Sequence, residues 1–401
     1  MQKDDVFLKG ASDYGTPYYL FDLDEFNECL AKTSELLGGA VNLCYAMKAN
    51  PFLVTFLPEQ GCKIEACSMG EYAICRAQGI PADRLVISGV LKKQEDMEKI
   101  VRDEAALPVF TAESGIQFAM LCRIAENYGR KLRILLRLSS QNQFGMSTGR
   151  IEKIISESQR HPLVQITGLH YFSGTQKSDM ERVVQELFYL DHICMSLEER
   201  FGLTFECLEY GPGLYVEYFQ EQKGWNPEEA LKKIRSCLET MHFKDRITLE
   251  MGRFLAASCG YYITSVQEVK RGEREQYVLV DGGIHQIHYA GQMLAMKTPY
   301  FHQLPVKKEK LQEHWNVCGA LCTSNDLLAR QVLLNKPEQG DLLIFDRVGA
   351  YSMTEGLSLF LSRDLPAVVT WQRSEGLTLL RAAEPIYPLN MISLQKKRKE
   401  A

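Results

Sequence analysis

"AVNLCYAMKANP", residues 40–51, decides how this chain is read. One parity carries Val41, Leu43, Tyr45 and Met47; the other carries Asn42, Cys44, Ala46 and Lys48. Alternation with a period of two predicts a strand. Pro51 cannot donate to a ladder and Asn50 suits a turn, so the strand is expected to stop at Lys48. Its second face bears small or polar side chains and so leaves room. An amine reaches into that room at the C-terminal end of the strand. A strand-end lysine is more often a solvated edge residue, so the decision passes to the rest of the chain.

Working outward, short apolar strands alternate with amphipathic helices. The strands are "VNLCYAM", "RLVISG", "LPVFTA", "LRILLRL", "QITGLHYF", "FECLEYG" and "RITLEM". Between them lie helical segments such as "SMGEYAICRAQG", "KKQEDMEKIVRDE", "ESGIQFAMLCRIAENYG" and "DMERVVQELFYLDHICMSLEERFG", several ending at Gly. Repeated β-then-α units predict an α/β fold, a (β/α)8 barrel over residues 25–262, with an open doubly wound sheet as the alternative. From about residue 262 the texture changes to short strands and turns, "YYITSVQEVKRG", "EQYVLVDGG", "WNVCGALC", "GDLLIFDRV", "LPAVVTWQ" and "GLTLLRAAE". A second, β-rich domain, sandwich- or barrel-like, is therefore expected over 263–392. Residues 1–24 join it through the strand-like "PYYLFDL", and the basic run 393–401 is expected to be disordered.

Composition narrows the function classes. The chain has 401 residues, 45% hydrophobic and 24% charged, with a net charge of -5, which gives no general reason for binding nucleic acid or membrane. The opening "MQKDDVFLKG" has no apolar signal core, and no run approaches a membrane span. The 12 cysteines follow no repeated spacing; Cys62 with Cys67 and Cys318 with Cys322 are the closest pairs, and neither has a matching His or Cys pair nearby. No metal site is expected, and the cysteines read as reduced thiols of a cytoplasmic protein.

In a barrel the chemistry sits where strands end. Besides Lys48, "GLHYFSGTQ" places His170 before Ser173, Gly174 and Thr175, a hydroxyl-rich loop able to face an anion. "EYGPGLYV" offers Gly211 and Gly213, whose amides can cradle a phosphate. "LEMGRF" sets Glu250 and Arg253 three residues apart beside Gly252. Taken singly, these are a core histidine, a turn and a surface ion pair. Taken together, they call for a ligand with an anion at one end and an aldehyde that captures an amine, a description that pyridoxal 5'-phosphate (PLP) meets.

These motifs, in this order, resemble the barrel-type PLP-dependent decarboxylases of diaminopimelate, ornithine and arginine, whose architecture alanine racemase shares. "YAMKANP" resembles the cofactor-lysine motif, which implies that Lys48 forms the Schiff base. "EACSMGEY" resembles the Ala-Ser-x-Gly-Glu segment. "GLHYFSGTQ" resembles the His-x-Gly-Ser-Gln motif, implying that His170 stacks on the pyridine ring and Ser173 meets the phosphate. "EYGPGLYV" stands where a triple-glycine phosphate loop is usual, with Pro212 in place of a glycine. "LEMGRF" resembles Glu-Pro-Gly-Arg, with Met251 for proline, and implies Glu250 at the ring nitrogen and Gly252 and Arg253 on the phosphate. "GALCTSNDLLA" resembles the segment of the catalytic cysteine, implying Cys322 as proton donor and Asp326 facing substrate. "GAYSMT" resembles a phosphate-contacting Gly-Ala-Tyr, implying Tyr351. The resemblance also implies a homodimer, with Cys322 and Asp326 acting on the Lys48 site of the other subunit.

Glu250 favours a decarboxylase over a racemase. Loss of CO2 leaves a carbanion, a protonated pyridinium drains it, and a carboxylate keeps that proton on; the racemase relatives place an arginine there. The substrate is read from departures. Relatives acting on basic amino acids carry Glu or Asp after the cysteine, where this chain has Thr323. Where diaminopimelate decarboxylases have Arg-Pro and then Tyr, "DGGIHQIHYAGQM" presents His285, His288, Gly291 and Gln292. Both departures resemble a smaller branch linked to butirosin-type antibiotic assembly and exopolysaccharide clusters, one member of which decarboxylates a glutamyl group on an acyl carrier protein. Thr323, His285 and Gln292 are the expected substrate contacts. Diaminopimelate decarboxylase is the alternative. A catalytically inactive, regulatory homologue would show damage at Lys48, His170, Glu250 or Cys322, and all four are present.

Overall fold

The computed structural model describes residues 2–39, 41–222, 224–289, 294–308 and 311–392; Gln292, Gly291 and the basic run 393–401 lie outside them. The chain divides into two compact units, one comprising Asn27–Val216 and Trp225–Leu255, the other the rest. The sequence places 25–26, 217–224 and 256–262 in the barrel; in the structure they belong to the second unit.

Strand β1 (Tyr18–Asp22) belongs to the second unit. The first unit is a closed barrel of β2 (Asn42–Ala46), β3 (Cys62–Ala66), β4 (Leu85–Ile87), β5 (Val109–Ala112), β6 (Leu132–Arg137), β7 (Val164–Phe172), β8 (Cys207–Gly211) and β9 (Ile247–Met251). Every pairing is parallel, and β2 closes the ring against β9 through Asn42↔Thr248 to Tyr45↔Met251. Cys44 clusters with Val86, Val109 and Leu135. These come from strands that are not neighbours of β2, so they meet across the barrel interior. The small-residue parity of the opening stretch therefore faces inward.

Helices α1 (Lys3–Tyr14) and α2 (Leu23–Leu36) precede the barrel; α3 (Met69–Ala77), α4 (Gln94–Asp103), α5 (Gly115–Tyr128), α6 (Thr148–Ser158), α7 (Met180–Phe201) and α8 (Pro227–Leu238) alternate with its strands. Their ends follow from local chemistry. Ser114 accepts from the Gln117 amide to start α5, and Gly129 ends it in the left-handed conformation. Asp179 and Gly202 do the same for α7. Helices α1, α2, α6 and α8 escaped the sequence reading. So did β3, because Lys63 and Glu65 interrupt its apolar run.

Strand β7 carries a bulge. Ile134 pairs with Ile166 but Leu135 with Gly168, so Thr167 is the extra residue, and its hydroxyl donates to Ile134 O (3.3 Å). Bulges beside sites re-aim the side chains that follow, and three residues on stands His170, paired with Arg137 on one side and Glu209 on the other.

The second unit is a nine-stranded mixed sheet. Its remaining strands are β10 (Gly260–Arg271), β11 (Gln276–Val280), β12 (Phe301–Leu304), β13 (Gln312–Cys318), β14 (Leu327–Asn335), β15 (Leu342–Phe345), β16 (Ala367–Gln372) and β17 (Gly376–Arg381). The long β10 is the hub: its first half pairs with β1 and β15, its second with β11. Val6 and Phe7 of α1 pack on Tyr18, Leu20, Ile263, Ile344 and Val369.

Gly168 is fixed by space, since a Cβ there would stand 1.7 Å from the Cys207 carbonyl oxygen of β8. Gly168→Ala is expected to destabilise the protein by about 1–3 kcal/mol, read as a lower urea midpoint. Gly149→Ala in α6, where a Cβ meets nothing within 4 Å, is expected instead to stabilise by about 0.5 kcal/mol.

Candidate active site

Strand β2 ends at Ala46, and Met47–Ala49 form a single 3-10 turn, so Lys48 stands just beyond the strand and not on its last residue. Asn50 then caps a second turn, its side chain accepting from the Phe52 amide (3.0 Å), with Pro51 at the first position. The Lys48 ammonium donates to Glu65 Oε2 (2.5 Å) on β3 and to Glu250 Oε1 (3.1 Å) on β9. These two strands flank β2, which is why both carboxylates reach one amine. Glu65 and Glu250 are both buried. Two neighbouring buried carboxylates are tolerable only with a cation between them.

Glu250 Oε2 meets His170 Nε2 at 2.9 Å. Burial would raise the Glu250 carboxyl, but the Lys48 charge and the His170 bond prevail and hold it well below the usual carboxylate range. Burial pulls His170 down, while the Glu250 bond and charge carry it above its ordinary value. Next to His170 in register is Glu209, buried, with no partner for Oε1 among the described residues. Burial, opposed by His170 and reinforced by Glu250 and Glu65, pushes Glu209 up to about 7. Ligand atoms of Glu65, His170 and Glu250 lie within 4.8 Å of one another, a spacing also suited to a metal ion. Here the Lys48 ammonium bonds both carboxylates.

Beyond these carboxylates come the glycines. Gly213 has φ +59, and a Cβ there would lie 1.9 Å from the Gly174 carbonyl, so the loops after β7 and β8 touch. Gly252 lets the end of β9 approach β2, since its Cβ would meet Ala46 O at 2.8 Å. Arg253 opens the short helix Arg253–Ala256. Ser173 Oγ donates to Glu186 Oε1 (2.7 Å) and accepts from Lys177 Nζ (2.5 Å). Glu65, Glu209 and Lys177 were missed in the sequence. Each is a charged residue in an apolar or loop segment, where solvent exposure is the default expectation.

In the second unit, Cys322 is an exposed free thiol. Thr323 is turned into its own loop, its Oγ1 accepting from the Asn325 amide (3.3 Å). Asp326, expected to face substrate, is buried and spends both oxygens on backbone amides, Ile284 at 2.8 Å and Leu321 at 2.7 Å. It ties the cysteine loop to the turn after β11. His285, expected as a substrate contact, is 2% exposed; burial, with the Arg363 charge, pushes it down to about 4, so it is neutral at pH 7. Tyr351 sits in the left-handed region at φ +66, a conformation that a bulky residue adopts only where its surroundings enforce it.

A family model described as "Pyridoxal-dependent decarboxylase, pyridoxal binding domain" matches residues 23–257. The chain belongs to that family. This pyridoxal-dependent decarboxylase is 25% identical to the L-glutamyl-[BtrI acyl-carrier protein] decarboxylase of Niallia circulans over 395 residues, covering 92% of this chain and 91% of the relative. It is 26% identical to a diaminopimelate decarboxylase of Aquifex aeolicus, covering 86% of each. Among solved structures, diaminopimelate decarboxylase from M. jannaschii in complex with L-lysine superposes with a TM-score of 0.84 at 23% identity, over 96% of this chain and 94% of that one. The fold expected from the sequence, a (β/α)8 barrel with a β-rich domain, is the fold observed. The cofactor is PLP, and the residues present fit it. An amine is held beside an ionised carboxylate, and at the same barrel mouth the turn after β8 runs so close to the Gly174 carbonyl that Gly213 leaves no room for a side chain. Among the described residues no helix is long and apolar enough to cross a membrane.

Two outcomes are expected. Borohydride should fix PLP to the wild-type protein, with peptide mapping placing it on Lys48, and Lys48→Ala should lose that adduct. The second concerns Glu209, whose raised value means that the folded state keeps a proton the unfolded chain gives up. The Glu209 contribution to stability therefore falls as pH rises from 4.5, the free-carboxyl value, through about 7, and is level above that. Glu209→Gln removes this loss, so relative to wild type it should gain about 3 kcal/mol between about pH 4.5 and pH 7.5 in urea unfolding.

Proposed function

We propose that the protein removes the α-carboxylate of an amino-acid substrate whose distal end is uncharged or tethered to a carrier protein, as in an L-glutamyl-acyl-carrier-protein. The observation that carries this reading is the state of the cysteine loop. Thr323 replaces the acid that basic substrates need, and the nearby carboxylate, Asp326, is already committed to two backbone amides. A buried distal ammonium would find no partner there. The similarity to the Niallia circulans enzyme supports the same substrate class.

PLP supplies the electron sink for the pair left behind when CO2 departs. Lys48 anchors it, and Glu65, 2.5 Å from the amine, is placed to take the proton that the amine must lose to become a nucleophile. Glu250, ionised and oriented by His170, would hold the proton at the pyridine nitrogen. Cys322, an exposed thiol, returns a proton to the product carbon, and does so across a homodimer of this cytoplasmic enzyme. Mixing Lys48→Ala with Cys322→Ala protein should regenerate activity once subunits exchange; inactivity despite proven exchange would refute a shared site.

Without the acid, a basic substrate forgoes a charge-assisted hydrogen bond worth roughly 1.5–3 kcal/mol, or about tenfold to a hundredfold in selectivity. The test compares kcat/KM for a glutamyl-carrier thioester and for diaminopimelate. The thioester is expected to win in wild type, and Thr323→Glu to shift preference toward amine-bearing substrates. Turnover of diaminopimelate alone would establish the second reading, which the Aquifex aeolicus relative favours.

A further inference from the structure

The loop after β7 contains a buried lysine to which neither the motifs nor the comparisons give a role. The Lys177 side chain is 5% exposed, and its Nζ donates to Ser173 Oγ (2.5 Å) and Glu186 Oε2 (2.6 Å). Its position is set by the glycine turn after β8. The Lys177 amide donates to Gly213 O (2.9 Å), the Tyr215 amide donates to Lys177 O (3.1 Å), and Lys177 pairs with Leu214 as a parallel bridge. Gln176 completes the clamp, its side-chain amide donating to Val216 O (3.0 Å) and accepting from the Val216 amide (2.8 Å). The ammonium is thus built onto the loop pair that carries Ser173, Gly174, Gly211 and Gly213.

That loop pair has two electrostatic peculiarities. Pro212 stands inside the turn and has no N–H, so one amide donor that a glycine would offer to an anion is missing. Around Ser173 a single carboxylate faces two cations, since Glu186 also accepts from Arg182 Nε (3.2 Å) and from Tyr210 Oη (2.8 Å). Burial would raise Glu186, but Lys177, Ser173 and Tyr210 hold it below the ordinary carboxylate value. It is therefore ionised at neutral pH; burial pulls Lys177 below the ordinary lysine value while the Glu186 bond and charge oppose this, and Lys177 and Arg182 share that one carboxylate beside the glycines.

We propose that Lys177 is a phosphate-binding residue of this enzyme, supplying through Ser173 and by its own charge the attraction that Pro212 withholds. The inference rests on the cofactor phosphate lying against Ser173 and the Gly211–Gly213 turn. An ion pair that merely pins α7 to the barrel would satisfy Lys177 equally well, so the test must separate phosphate affinity from structural integrity.

Apoprotein is titrated with PLP and, separately, with pyridoxal, which lacks the phosphate, following the absorbance of the cofactor bound to Lys48. Lys177→Met is expected to weaken PLP about tenfold to a hundredfold while leaving pyridoxal affinity within about threefold. Lys177→Arg should restore most of the PLP affinity. Glu186→Gln, which disrupts the same pair but leaves the ammonium, should bind PLP at least as tightly as wild type. The 31P resonance of bound PLP should shift in Lys177→Met and not in Glu186→Gln. If Lys177→Met and Glu186→Gln weaken PLP and pyridoxal alike, Lys177 is structural and the proposal fails, while the phosphate site stands. If wild type itself binds pyridoxal as tightly as PLP, the phosphate site fails and takes the proposal with it.

Discussion

One ammonium between two buried carboxylates is the constraint on which the barrel mouth depends. Glu65 and Glu250 belong to the strands on either side of β2, and both are buried. In a medium of low dielectric their repulsion and desolvation together exceed what packing supplies, so a cation must sit between them. Lys48 provides it from the turn after β2, and His170 adds a second bond to Glu250. Glu209 is the carboxyl left over. Burial outweighs the nearby His170 charge, so it lowers its cost by keeping its proton longer than an exposed glutamate would.

The electrostatics of the mouth then divide. Around Lys48 the chain concentrates carboxylates and one amine. Around Ser173 and Gly213 it concentrates glycine backbone, a hydroxyl and paired cations. A ligand with a basic ring nitrogen and a terminal phosphate is complementary to both. Glu250 is held ionised in this mouth by Lys48 and His170.

The cysteine loop carries a different kind of information. Asp326 holds the loop together through the Ile284 and Leu321 amides, so the loop's shape and its lack of an available carboxylate have one cause. What the loop can offer depends on what a residue is already bonded to, as much as on which residue is present.

Periodicity and punctuation made most of the architecture legible. Alternation in "AVNLCYAMKANP" marked a strand with an open inner face, glycines marked the ends of α5 and α7, and the change of texture near residue 262 marked a second region. Lys48, His170, Glu250 and the glycines were legible because each stands at the end of an apolar run, where the barrel places its chemistry. The partners were not. Glu65 lies in a strand hidden by its own charges, Glu209 reads as one polar residue in an apolar run, and Lys177 reads as a solvated loop lysine. Asp326 and His285 were legible as polar residues but not as buried ones. Local sequence determined which segments become strands and helices, because propensity, capping and periodicity act over a few residues. Only the tertiary structure decided which charges are paired, because pairing depends on barrel closure and loop contact between residues far apart in the chain.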